Sequence, residues 1–215
     1  AGVRAEHDKI LAQRSSLLKS ARSARRSGGV PASMISSLEV WDAQLAAAAA
    51  RLIAARVDVV TRLRPWAASS YERVSQGQSA AHLAYRSSLL LHEGRAEPDP
   101  SDDMAVTDAE TALNDVSSIA MRLEAAMSEL RDREIDRGAN LVGAHRDDLI
   151  LHVGALPAKG FASHGEQWSL ALALRLASYE MLRHDVDAYG GDGEPVLILD
   201  DVFASLDAGT AAGIA

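Results

Sequence analysis

Apolar residues recur at steps of three and four along the first part of the chain, and that rhythm sets the expected elements. From Val3 to about Arg26, Ile10, Leu11, Leu17, Leu18 and Ala21 fall on one side of a helix that should stop at Gly28-Gly29. A second, longer helix carries Leu38, Trp41, Leu45, Ala48, Leu52, Ala55 and Val59, the seam of a coiled coil or helical hairpin. Pro65 should kink or restart it. A third helix is predicted to open at Thr107, where Glu110 three residues later completes a capping box, and to continue through Leu113, Val116, Ala120, Leu123, Met127 and Leu130. These helices together read as an antiparallel arm or small bundle. Between the second and third lie a strand around Leu83 to Arg86 and the acidic, Pro-containing loop "EGRAEPDPSDD".

From about Asn140 the pattern changes. Leu149 to Val153 is strand-like, a turn passes through Pro157 and Gly160, and a helix runs from Glu166 to about Arg183. Leu170, Leu174, Ala177 and Met181 make one apolar face of that helix and Leu172 and Leu176 another, so it should be buried on more than one side. After the loop "DAYGGDG" comes "EPVLILDDVFASLD". Its four consecutive aliphatic residues, Val196 to Leu199, read as a strand buried on both faces, the pattern of a central parallel strand in an α/β sheet. The expected division is residues 1–80 and 107–139 for the two sides of a helical arm, 81–106 for the strand and acidic loop, and 140–215 for an α/β part.

The chain has 215 residues, enough for one large domain or two small ones. Its 22 Lys and Arg against 30 Asp and Glu give a net charge of -8, so any surface for a polyanion must be local. Cysteine is absent, which excludes disulfides, thiolate metal sites and a thiol nucleophile. No apolar run approaches the ~18 residues of a membrane span and no signal peptide opens the chain, so a soluble, intracellular protein with no membrane partner is expected. The chain opens without Met and stops at "AGTAAGIA", in what reads as the first turns of a helix, which suggests a piece of something longer.

Three motifs carry candidate chemistry. Asp200 and Asp201 follow the aliphatic run, where open α/β sheets gather ligands. An Asp there can hold Mg²⁺, and a second carboxylate can polarise the water that attacks a γ-phosphate; the alternative is a polar strand end or helix cap. In "ASHGEQ", Ser163 and Glu166 form a capping box, while Gly165 lets a phosphate approach the N-terminus of the helix. In "GAHRDD", His145, Asp147 and Asp148, with the later His152, are ligand types of metallohydrolases, or else a loop of solvated charges. The lysines are Lys9, Lys19 and Lys159, and none follows a Gly. A Gly-Lys-Ser/Thr phosphate cradle is therefore missing, and this chain cannot complete a nucleotide site alone.

A helical arm containing "ILAQRSSLLKSARSARR", then "LVGAHRDDL", "ASHGEQWSLALALRLA" and "PVLILDDVFASLD", resembles in that order the RecF family of bacterial recombination mediators, of the SMC and ABC-type ATPase group. The resemblance covers nearly the whole chain. It implies an α/β fold, the distal part of an ABC-type ATPase head with an inserted α-helical, coiled-coil-like arm. By this likeness Asp200 is the Walker B metal carboxylate for Mg²⁺, Asp201 the catalytic acid, and Ser205 to Asp207 the D-loop. Ser163, Gly165 and Glu166 are the signature that meets the γ-phosphate of ATP in a partner subunit. Glu166 stands where the signature usually has Gln, and Ala144 where the family commonly has Pro. The roles of His145 and Arg146 stay open. The Walker A loop would lie before Ala1 and the switch histidine beyond Ala215.

The resemblance further implies a cytoplasmic protein of DNA replication, repair and the SOS response, a slow DNA-dependent ATPase that dimerises around ATP. It would bind single-/double-strand DNA junctions or gaps and work with a RecR-type mediator in loading recombinase. Residues 1–26 hold an excess of five positive charges, which makes Arg14, Lys19, Arg22, Arg25 and Arg26 candidate DNA contacts. Two readings of other classes remain beside this one. One is a metal-dependent phosphohydrolase using His145, Asp147 and Asp200; the other is a non-enzymatic coiled-coil interaction protein.

Overall fold

A computed structural model describes residues 2–185 and 195–198. The chain divides into two compact units. The first comprises residues 1–57, 85–98 and 107–148, and the second residues 58–84, 99–106 and 149–215.

In the first unit, helix α1 (Val3–Arg26) ends where Gly28 and Gly29 were expected to stop it. Helix α2 (Ala32–Val74) contributes its first turns here and continues into the second unit; it runs as one helix of 43 residues with Pro65 inside it, so the proline does not restart it. Strand β1 (Ala81–Arg86) lies where the sequence placed it and is followed by the short helix α3 (Ser88–His92), capped by the Ser87 hydroxyl.

The helix expected from Thr107 is two helices, α4 (Asp103–Thr111) and α5 (Val116–Arg137). The cause is local side-chain chemistry. Asp102 accepts from the N–H groups of Met104 and Ala105 at 3.1 Å, which starts α4 early, and Asp115 accepts from Ser117 N at 2.9 Å, which caps α5. Gly138 closes α5 in the left-handed region at φ 64°, where an added Cβ would also stand 3.1 Å from the Arg22 side chain. Leu18, Ala21, Leu38 and Ile135 form a core among α1, α2 and α5.

One charged group lies in this interior. Arg14, with 1% of its surface exposed, donates Nε to Asp42 at 2.6 Å, Nη2 to Glu134 at 2.7 Å and Nη1 to the Asn140 amide oxygen. Asp42 also accepts from Arg131 at 3.0 Å, Glu134 from Leu141 N at 2.7 Å, and Asn140 donates to Ser15 at 2.7 Å. Two cations thus meet two carboxylates. Arg14 is thereby removed from the candidate DNA contacts: it faces the core and each of its three guanidinium nitrogens is bonded there.

In the second unit, strands β2 (Asp148–Val153) and β3 (Leu156–Pro157) pair antiparallel with Val153 opposite Leu156, and the sheet order is β1-β2-β3. A single interrupted turn, α6 (Ala158–Phe161), leads into α7 (His164–His184). Leu170 and Ala173 of α7 pack with Tyr71, Ala81 and Val153, while Leu172 packs with Val74. The helix is buried on two sides, as its double apolar pattern required. Pro195–Ile198 is not a strand: it has no regular structure, and Val196 and Ile198 are more than four-fifths exposed. A strand buried on both faces needs neighbours for its backbone groups, and no strand pairs with it among the described residues. Leu199 lies outside those residues.

Replacing Arg14 by Met should destabilise the fold by about 3–5 kcal/mol, because Glu134 and Asp42 then stay buried with a partner lost. Arg25→Ala, which breaks only the partly exposed bridges to Asp132 and Asp136, should cost about 0–1 kcal/mol. Urea denaturation of the two variants checks the contrast.

Candidate functional site

Two described segments hold the residues singled out by sequence, and a third surface emerges from the fold. The first segment is the loop 140–148. Its backbone is tied down residue by residue: Leu141 N to Glu134, Gly143 N to Ser88 Oγ at 3.0 Å, and Ala144 O accepting from Arg56 at 2.5 Å. Asp147 accepts from Tyr85 Oη, Ser88 N and Ser88 Oγ, all at 2.7 Å. Burial raises the pKa of this carboxyl and raises that of the Tyr85 phenol beside it. With both oxygens engaged by protein donors, Asp147 organises the loop and is not free to ligate a metal. Among the described residues, no three His, Asp or Glu side chains gather in a way that could hold a metal ion.

His145 is half-buried. Its Nε2 faces the Asn140 carbonyl at a long 3.4 Å, and its Nδ1 has no partner among the described residues. Burial, opposed by that carbonyl and joined by the nearby charges of Arg146, His7 and Arg14, pushes its pKa down to about 4. Arg146 reaches the same carbonyl through Nε at 3.0 Å and Nη2 at 2.7 Å.

The second segment is the start of α7. Ser163 Oγ accepts from Glu166 N at 3.3 Å, and Glu166 Oε2 accepts from Ser163 N and Oγ, both at 2.8 Å, so the capping box is fully made. Those bonds hold the Glu166 carboxyl below the usual range. Ser163 and Gly165 are exposed, and a Cβ on Gly165 would meet nothing within 4 Å. This terminus is therefore both capped and open to a ligand. Asp200, Asp201, Ser205 and Asp207 lie outside the described residues.

The third surface was not found by sequence reasoning. The end of β1, α3, α5 and the 140–148 loop enclose a cleft of about 470 Å³ into which Arg86, Arg133, Arg137 and Arg146 project. The signal available was the pair Arg133 and Arg137, one helical turn apart. On α1, by contrast, Arg25 is bridged to Asp132 and Asp136 and Arg22 donates to Arg137 O at 3.3 Å; Lys19 and Arg26 stay exposed.

This arrangement has the fold of the distal part of an ABC-type ATPase head carrying a helical arm. Solved structures of the recombination mediator protein RecF, as RecF-ATPrS and RecF-ATP in the RecFOR pathway, match 95% of this chain and 46% of theirs with TM-scores of 0.71 and 0.70. At 22% and 23% identity they speak to the fold alone. Sequence comparison goes further. The chain is 54% identical over 209 residues to the DNA replication and repair protein RecF of Beutenbergia cavernae, and 51% identical over 210 residues to that of Kineococcus radiotolerans. These stretches are 97% of this chain in both cases, and 51% and 50% of the two relatives. The chain belongs to the RecF family and spans about half the length of the curated relatives it matches. No family model matches it.

A pH dependence follows for the loop. A folded His145 with its pKa near 4 binds fewer protons than the unfolded chain between there and ~6.5, so its contribution to stability is present above ~6.5 and is lost as the pH falls toward 4. The loss is at most about 3 kcal/mol. The raised carboxyl of Asp147 acts in the opposite sense, with stability gained as it protonates. His145→Gln keeps a donor for the Asn140 carbonyl and should flatten the fall in stability between pH 7 and pH 4.5, measured by urea denaturation at both values.

Proposed function

We propose that this chain is the distal part of the ATPase head of a RecF-family DNA repair protein that binds DNA under the control of ATP-driven dimerisation. In this reading the protein is cytoplasmic and assists recombinase loading at single-strand gaps with a RecR-type mediator. The observation that carries it is the start of α7, where Ser163 and Gly165 stand exposed at the N-terminus of a 21-residue helix within a chain matched to RecF over 97% of its length.

The N–H groups of His164 and Gly165 lack intrahelical partners by their position in the first turn, and together with the helix dipole they favour an anion. The open space around Gly165 admits a γ-phosphate offered by a second subunit. Glu166 brings a negative charge to that place, so its carboxylate must stay turned back onto Ser163, as it is here. On the family resemblance, Asp200 would hold Mg²⁺, Asp201 would orient the attacking water, and Ser205 and Asp207 would belong to the D-loop; the Mg²⁺ would supply charge neutralisation for the phosphates of ATP. No Gly-Lys-Ser/Thr loop occurs in this sequence, so the phosphate cradle comes from outside it. Lys19 and Arg26, exposed on α1, remain candidate DNA contacts.

Ser163→Arg, made in a complete protein that carries this stretch, separates the two roles of the residue. A lost cap alone would cost about 1 kcal/mol of stability and leave assembly unchanged. A signature serine facing a partner's γ-phosphate predicts normal ATP binding, no ATP-induced dimer, and a parallel loss of ATP-dependent DNA binding. Sedimentation with and without ATP, on protein shown by thermal melting to be folded, gives the answer. A dimer of normal strength would return Ser163 to the role of a cap.

A further inference from the structure

The arginine cleft of the first unit is unused by anything above. Within this unit, arginines are generally paired. Arg25 meets Asp132 at 2.6 Å, Arg95 meets Asp108 at 2.9 Å, Arg122 meets Glu93 at 2.6 Å, and Arg131 meets Glu39 and Asp42 at 3.0 Å. Among the described residues Arg22 and Arg26 on α1 have no carboxylate either, but the cleft is where such groups gather: only Arg86 of its four arginines has one, Glu97 at 2.5 Å. Arg146 is held by the Asn140 carbonyl, which orients its guanidinium without neutralising it. Arg133 and Arg137 have no hydrogen bond or ion pair from their guanidinium groups among the described residues.

These two side chains stand one turn apart on α5, a spacing at which like charges repel. Among the described residues no carboxylate lines the cleft; its other walls are leucines, Ser88 and His92, and His92 is itself turned to Glu129 at 3.1 Å. Three uncompensated guanidinium groups thus converge on one cleft in a chain of net charge -8. Arg133 and Arg137 are exposed, and beyond the place of Arg137 in the last turn of α5 neither has a partner among the described residues, so both are open to an anion from outside.

We propose that this cleft holds phosphate groups of a nucleic-acid backbone. The inference rests on the DNA-binding reading above and moves its main contact from α1 to the cleft. A guanidinium fork fits phosphodiester oxygens in pairs, and Arg146 is already fixed in position to offer its remaining edge. The volume of about 470 Å³ exceeds the needs of a single phosphate and suits a stretch of backbone. No Phe, Tyr or Trp among the described residues lines the walls and the one ring, His92, is turned to Glu129, so the contact reads charge and not sequence. A free polyphosphate offers the same oxygens, and the test must separate the two.

The experiment measures binding of a labelled duplex to a complete protein that carries this stretch, in the presence of ATP, by fluorescence anisotropy across a salt series, with tripolyphosphate binding to this chain alone followed by calorimetry. Three double variants are compared: Arg133→Gln with Arg137→Gln, Arg133→Lys with Arg137→Lys, and Lys19→Gln with Arg26→Gln on α1. All four positions are exposed, and circular dichroism melting confirms that each variant is folded. The Gln pair in the cleft should weaken duplex binding about tenfold or more at low salt and make the slope of log K against log salt shallower by about 1.8, the share of two phosphate contacts. The Lys pair keeps both charges and should keep the slope.

Duplex affinity within about twofold of wild type and an unchanged slope in the Gln pair would overturn the proposal. If that variant loses tripolyphosphate but binds duplex normally, the nucleic-acid assignment is wrong. If only the α1 variant loses duplex binding, the cleft fails while the DNA-binding reading stands, and a complete wild-type protein that binds no duplex in the presence of ATP removes both.

Discussion

The structure of the first unit depends on how it accommodates one buried guanidinium. Arg14 lies on the stripe of α1 that otherwise carries Leu11, Leu18 and Ala21, so forming the helix carries a permanent charge into the core. Removing that charge from water is tolerable only if the fork is filled, and three elements supply one acceptor each: α2 through Asp42, α5 through Glu134 and the following loop through Asn140. The acceptors must reach a flat, rigid group together. A slip of α1 by one residue would break all three bonds, whereas a purely aliphatic seam would tolerate it. We read the cluster as a register pin, with Arg131 balancing its charge through Asp42.

From that pin the chain reaches the outside by a short route. Asn140 uses its side chain inward, on Arg14 and Ser15, and its carbonyl outward, on Arg146. The loop that follows is fixed again at Asp147 by Tyr85 and Ser88. Polar residues that look like reagents in the sequence therefore serve mostly as fasteners, and the group they leave available is the guanidinium of Arg146. The second unit solves the opposite problem. There α7 is clamped by apolar contacts on two sides, and its N-terminus stays open because its cap is local, made by Ser163 and Glu166 without help from any other element.

Charge is informative here only when sorted by partner. The net value of -8 hides a fold in which some arginines are neutralised by nearby carboxylates and others are not. The cationic stretch 1–26, prominent in sequence, is largely spent: Arg14 in the core, Arg25 on α5, and Arg22 against the end of α5. The arginines of the cleft come from segments more than 40 residues apart, Arg86, itself paired with Glu97, on one side and Arg133 to Arg146 on the other.

Much of this was legible in sequence, for a definite reason. Helix ends at about Arg26 and Arg183, strands around Leu83 to Arg86 and Leu149 to Val153, each within two residues of the observed bounds, and the two-sided burial of α7 follow from periodicity and local stop signals, which act over a few residues. The capping box at Ser163 was local too. The break between α4 and α5 was missed because Asp115 could be read either as a helix residue or as a cap, and the strand expected at Val196 because burial on both faces is a property of neighbours. An Arg in an apolar stripe was a visible anomaly, but its meaning required partners 28, 120 and 126 positions away. The sequence by itself determined most of the elements and the family they belong to. Which charges were buried, which were paired and which were left to face a ligand was decided only by tertiary structure, because a charge is neutralised by what lies within a few ångströms of it and not by what precedes it in the chain.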